Sequence, residues 1–152
     1  LYNNMFKNVK FITVLSLFND SISVIESHAL VDLTYVVHIN LGSNRICSID
    51  NFLFSNLTKL SHLELSHTNR LDHFSAVQHI QPLSKLILNH ARISLISFTL
   101  LKMFANLSEF DITKVNISLN FVKVLDTLRN FKNLSWLYVM DIRMCCMVAE
   151  YV

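Results

Sequence analysis

Seven histidines in 152 residues are the side chains best placed to do chemistry near neutral pH. Imidazole binds metals and is the one side chain that ordinarily titrates there. Four are regularly spaced: His38 and His62 stand 24 residues apart, His67 and His90 23 apart. His38, His62 and Glu64 are ligand types that zinc accepts, but a site needs three or more in tetrahedral reach at once. We therefore expect no metal. Titration is the better reading of the set, because the formal charge of +2 with neutral imidazoles becomes +9 with all seven protonated, within endosomal pH for unperturbed rings. Plain solvated histidine is the commonest state of such residues.

Catalysis finds no comparable support. Glu109 and Asp111 share a face, but no Ser-His-Asp grouping or Cys-His pair carries a motif context such as G-x-S-x-G. A single Gly leaves nothing from which to build a phosphate-cradling loop. We expect a non-enzyme with no cofactor. Cys47, Cys145 and Cys146 are odd in number, and adjacent cysteines rarely pair with each other, so cysteine usage does not decide the compartment. Five N-x-S/T sequons, at Asn19, Asn56, Asn106, Asn116 and Asn133, exceed what composition gives by chance and favour a secreted chain.

The elements that position these residues follow from a repeat. The phrase VVHINLGSNRI, Val36 to Ile46, has apolar residues in its first, fourth, sixth and last places and Asn in the ninth. The register recurs with first places at Ile12, Val36, Leu60, Leu83, Leu107 and Leu134, spaced 24, 24, 23, 24 and 27. Within each unit a strand alternates sides: Leu63 and Leu65 point inward, His62, Glu64 and Ser66 outward. The chain turns at the ninth place and adds apolar residues beyond it (Ile22, Ile46, Leu71, Ile93, Ile117, Met144, then Ile25, Ile49, Phe74, Ile96). The return path adds more, as in Phe54 and Leu57. One unit cannot bury this set alone; stacked units share it. The expected fold is therefore an α/β solenoid, right-handed and curved, with a parallel concave sheet of about six strands and irregular or helical convex segments, residues 1–152 forming one array.

Two features break the regularity. The ninth-place column reads Asp20, Asn44, Thr68 (with Asn69 adjacent), Ala91, Val115, Ile142, so the side chain able to bond buried turn backbone is lost after the third unit. A change in stacking geometry around Leu83 and sequence drift with unchanged curvature both fit. The last full unit is longer, and Phe121, Val124, Leu125, Leu128 and Phe131 fall at helical spacing after Ser118 or Asn120 as a cap, predicting a convex-side helix.

Composition excludes other classes. A chain 52% apolar, with mean hydropathy +0.40, has ample core, and no run of 18 uncharged apolar residues exists to span a membrane. Leu1 opens inside the return segment of a repeat, from which we expect a piece of something longer; anchors, signalling elements and any membrane attachment would lie outside it.

The string ICSIDNFLFSNLTKLSHLEL resembles the typical 24-residue leucine-rich repeat of extracellular and receptor proteins, with a Phe in the return followed by NLxxL. Phe6 to Ile12, Leu30 to Val36 and Phe54 to Leu60 all follow it. The irregular later units, the fading Asn column and the added helix further resemble Toll-like receptor ectodomains. The resemblance implies a non-enzymatic recognition module on the extracellular side of a membrane, binding a protein or pathogen-derived ligand and signalling as a receptor homo- or heterodimer. The alternatives are an intracellular leucine-rich repeat adaptor or ubiquitin-ligase substrate receptor, for which the longer unit argues, or a cell-adhesion protein.

Binding is expected on the concave face, where equivalent outward residues line up about 5 Å apart. The third-place column is Val14, His38, His62, Lys85, Glu109, Trp136. The fifth is Ser16, Asn40, Glu64, Ile87, Asp111, Tyr138, and the eighth is Asn19, Ser43, His67, His90, Lys114, Asp141. Trp136 and Tyr138 are the expected anchors for a protein partner; covering the sheet end is their competing role. Arg45, Arg70, Arg92 and Arg143 could form a rim stripe, but so small a net charge argues against nucleic acid as a partner except at acidic pH.

Overall fold

A computed structural model describes residues 1–68, 71, 75–92, 106–117, 129, 131–140 and 143–144. Six strands of three residues each form one parallel sheet in sequence order: β1 (Val14–Ser16), β2 (His38–Asn40), β3 (His62–Glu64), β4 (Lys85–Ile87), β5 (Glu109–Asp111) and β7 (Trp136–Tyr138). The register is the one read from the repeat, with Val14, His38, His62, Lys85, Glu109 and Trp136 as successive partners. The pairing runs through β3, β4 and β5 without a break, so the sheet continues across Leu83. A second sheet, which the sequence reading did not anticipate, pairs β6 (Asn116–Ile117) with β8 (Arg143–Met144).

The fourth-place residues fill the core. Ile39, Leu63, Leu86 and Phe110 are fully buried, whereas the outermost members Leu15 and Leu137 are 8% and 39% exposed. This gradient is what a stack produces, because each layer is covered by the two beside it. The return segments close the other side with Leu30, Leu33, Phe54, Leu57, Val77 and Ile80. The apolar spacing of three in that stretch is met by tight turns: Leu33, Leu57 and Ile80 donate their N–H groups to the carbonyls of Leu30, Phe54 and Val77. Spacing of three suits i to i+3 bonding, and Ser75–His79 extends it to a 3₁₀ helix.

Three residues beyond each of β1 to β5 stands a left-handed residue. Asn19, Ser43, His67, His90 and Lys114, all eighth-place, lie at φ of 61°, 55°, 55°, 55° and 57°. The N–H group of each donates to the seventh-place carbonyl of the next unit: those of Gly42, Ser66, Asn89, Thr113 and Met140, at 2.7–3.0 Å. The bent conformation thus keeps the ladder running past the strand, satisfying backbone that stacking would otherwise bury unpaired.

The ninth place shows how the fading Asn column is tolerated. Asn44, 2% exposed, accepts from the N–H groups of Asp20 and Ile22 and donates to the carbonyls of Leu17, Leu41 and Gly42. Thr68 Oγ1 donates to Leu65, also a sixth-place carbonyl. In the next two units the backbone takes over, the N–H of Ala91 donating to Leu88 and that of Val115 to Ile112. The sixth-place carbonyl is therefore partnered from the ninth residue in all four units, by side chain or by main chain. What is lost with Asn is the bridge to the preceding unit.

One expectation is corrected. Ser66, expected to point outward, is buried at 2%, because the chain has left the extended conformation before the seventh place and its hydroxyl turns along the surface to Glu64 Oε1 at 3.2 Å. The expected helix from Ser118 and Asn120 through Leu128 lies outside the described residues. So do Asn69, Arg70, Phe74, Ile93, Ile96, Asp141, Ile142, Cys145 and Cys146. At the end of that stretch, Phe131 is buried with its ring stacked on Phe110, centroids 6.1 Å apart. Among the described residues no helix is long and apolar enough to cross a membrane.

Candidate functional site

The sheet and the turns that follow its strands bring the twelve expected binding residues to one face, eleven of them in three local groups. The first is a pair of histidine couples. His38 and His62 are lateral partners on β2 and β3 with ring centroids 5.9 Å apart; His67 and His90 occupy adjacent left-handed turns and stack at 4.4 Å, 15° from parallel. Ser61 Oγ lies 2.7 Å from His62 Nδ1. One ring of each couple resists charging. The His62 imidazole is held below its ordinary range by loss of hydration, then by His38 and Lys85, against the opposing pull of Glu109. His90 shifts the same way through desolvation, His67 and Lys114, against Asp111. Two cations this close repel, so the second proton on each couple is disfavoured.

The second group is a band of bonded polar side chains. Asn40 Nδ2 donates to Glu64 Oε2 at 2.8 Å, while Asn40 Oδ1 accepts from the Gly42 N–H at 2.8 Å. Asp111 repeats the second bond, accepting from the Thr113 N–H at 2.9 Å, and receives Asn89 Nδ2 at 3.2 Å. Lys85 Nζ reaches Glu109 Oε2 at 2.9 Å, both side chains about a quarter exposed. Such a pair contributes at most about 1 kcal/mol; its effect is to fix two charges in known places. The third group is the aromatic end, where Trp136 and Tyr138 are 63% and 44% exposed on one face of β7, beside their partners Glu109 and Asp111.

Where the seventh- and eighth-place columns meet the sheet there is a shallow open depression of about 420 Å³, lined by Phe18, Ser43, Arg45, Glu64, His67 and Asn89 among others. In its wall Asn89 Oδ1 is buried without a hydrogen-bond partner. Phe18 and Asn89 were missed in the sequence; they are exposed or half-buried members of the seventh-place column, in which Gly42 and Ser66 are buried. Among the described residues no three metal-ligating side chains lie together. The arrangement presents spaced polar groups, fixed charges and bare aromatics to something large enough to span several strands.

Of the sequon residues, Asn19 sits in the first left-handed turn, Asn56 in the return after β2, and Asn106 and Asn133 immediately before first places, all four exposed; Asn116 lies in β6. Cys47 is an exposed thiol.

Residues 10–71 match the leucine rich repeat family model. No curated protein sequence matches the chain. Among solved structures, internalin C2 of Listeria monocytogenes is 26% identical with TM-score 0.67, over 88% of this chain and 54% of that one. Toll in the Toll–Spatzle complex of Drosophila has TM-score 0.75 at 21% identity, over 95% of this chain and 21% of that one. A TLR13–ssRNA13 complex gives 0.70 at 21%, over 90% and 20%. At those identities the last two show the fold alone. The chain spans about half the length of the first of these proteins and about a fifth of the others.

Proposed function

We propose that this chain, a leucine-rich repeat array, is the recognition surface of an extracellular receptor of Toll-like organisation, and that it binds a protein or pathogen-derived ligand on its concave sheet. The observation that carries the reading is the pairing of exposed Trp136 and Tyr138 with Glu109 and Asp111 in adjacent strands. Large exposed aromatics are favoured interface anchors, and fixed carboxylates beside them suit the polar rim around such an anchor. A parallel sheet of solvated columns reads a partner by shape and charge, and the depression of about 420 Å³ on that face is shallow and open. Signalling follows when ligand brings two receptor chains together. The repeat fold and a family of binding modules support the coarse reading; the sequons and the Toll resemblance support the finer one.

The test has two arms. Antibody against the array should stain intact cells as strongly as permeabilised ones. Once proximity labelling on such cells has identified a partner, Trp136→Ala and Tyr138→Ala should each weaken binding by about tenfold or more. Staining only after permeabilisation would move the protein to the cytosol and to the adaptor class. Surface staining with unaltered affinity in both variants would remove the binding site from the concave face.

A further inference from the structure

On the convex side, between the return segments that follow β1 and β2, lies a second depression of about 180 Å³. It is more enclosed than the concave one and is lined by Ser27, His28, Val31, Phe52, Leu53, Ser55 and Asn56. Phe52 is 67% exposed. That is unusual here, since the neighbouring Phe54 is the residue that fills the core, at 1%. An aromatic ring left in water two residues from a buried one is not needed for stacking. Four residues after it comes Asn56, exposed, first of the sequon Asn56-Leu57-Thr58. Leu57 anchors the sequon in the core, and the Thr58 N–H donates to the Asn56 carbonyl at 3.0 Å. This tight turn leaves both functional side chains, Asn56 and Thr58, in solvent.

We propose that Asn56 carries an N-linked glycan whose first N-acetylglucosamine seats in this depression against the ring of Phe52. The proposal rests on the extracellular reading above. The modification joins the Asn56 side-chain nitrogen to the anomeric carbon of a lipid-diphosphate-linked oligosaccharide. A C–N bond forms, the C–O bond to the diphosphate breaks, the lipid diphosphate departs, and the amide proton passes to a base of the transferase. The depression has room for about one sugar ring. The apolar C–H face of that ring suits the electron-rich face of Phe52, while Ser27, Ser55 and His28 offer hydrogen-bond groups at its margin. Neither of these two depressions is lined by the other exposed sequon residues, Asn19, Asn106 and Asn133. The glycan at Asn56 is thereby a structural part of the stack, covering the aromatic ring that the repeat leaves bare.

The test uses the full-length protein secreted from animal cells. Glycopeptide mass spectrometry should find Asn56 occupied. After trimming to a single N-acetylglucosamine, the protein should melt roughly 2–4 °C above Asn56→Gln, as about 1 kcal/mol would give at this size. In the Phe52→Ser background that advantage should vanish, and in Phe52→Trp it should persist. Phe52 is exposed, so neither replacement should prevent folding. Occupancy at Asn106 or Asn133 with Asn56 bare would overturn the proposal and leave the extracellular reading intact. An occupied Asn56 whose melting advantage survives Phe52→Ser would overturn the seating. Bare Asn at every sequon would overturn both readings together.

Discussion

At the scale of single residues, two positions decide what the fold tolerates. Asn44 makes five hydrogen bonds from a buried site, and three of their partners belong to the preceding unit. Asn44→Ala would strand buried N–H and C=O groups, each costing about 1–3 kcal/mol, so the loss in stability should be about 3 kcal/mol, read from urea unfolding. Thr68→Ala, losing one bond, should cost about 1 kcal/mol. Equal losses for the two would show that the bridge contributes nothing. The histidines make a second prediction. Native His62 and His90 have lowered pKa values, so the unfolded chain binds more protons than the folded one just below the ordinary imidazole pKa of about 6.5. Stability is complete above that pH and is lost as pH falls through the folded values. The urea midpoint should therefore decline between pH 7.5 and 5, and less steeply in His62→Gln or His90→Gln. An unchanged slope in both variants would mean that other groups govern acid sensitivity.

At the scale of the element, the unit is a three-residue strand closed by a left-handed turn. The eighth place accepts Asn, Ser, His and Lys at positive φ, although a side chain there costs about 1–2 kcal/mol and Asn or Gly is the residue that relieves it. Lys114 has the least local compensation of the set, having no short polar group to bond its own backbone. Lys114→Asn should raise stability by about 0.5–1 kcal/mol, measured by thermal unfolding. A lowered melting temperature would show that the lysine is held by contacts that outweigh its backbone strain. The same geometry explains Ser66. A period-two strand reading assigns it outward, but the turn begins one residue earlier than alternation assumes.

At the scale of the whole molecule, stability is shared between neighbours in a line. Phe110, fully buried and stacked on Phe131, supports the layers on both sides. Phe110→Ala should cost about 3–5 kcal/mol, whereas Leu15→Ala on the first strand, which has a neighbouring strand on one side only, should cost visibly less by the same denaturant measurement. Equal costs would argue for a single cooperative globule in place of a stack. The candidate surface belongs to this scale as well, because each unit supplies only two or three of its residues. The columns exist only once units are stacked.

The sequence by itself determined the repeat, the strand register and the membership of the concave columns. These depend on a period alone: once each unit buries the same places, in-register stacking aligns every other place with its equivalents. Period could not decide what happens between columns. The closeness of His67 to His90 follows from two left-handed turns, and it adds to the desolvation that lowers the His90 pKa. The bonds that join Asn40 to Glu64 and Asn89 to Asp111 depend on side-chain reach between adjacent units. The backbone's replacement of the ninth-place side chain at Ala91 and Val115 is invisible to any reading of residue types, because main-chain N–H groups are common to all of them. Phe52 and Phe54 look alike in sequence, and only the packed return segment shows which ring fills the core and which is left beside Asn56 in water.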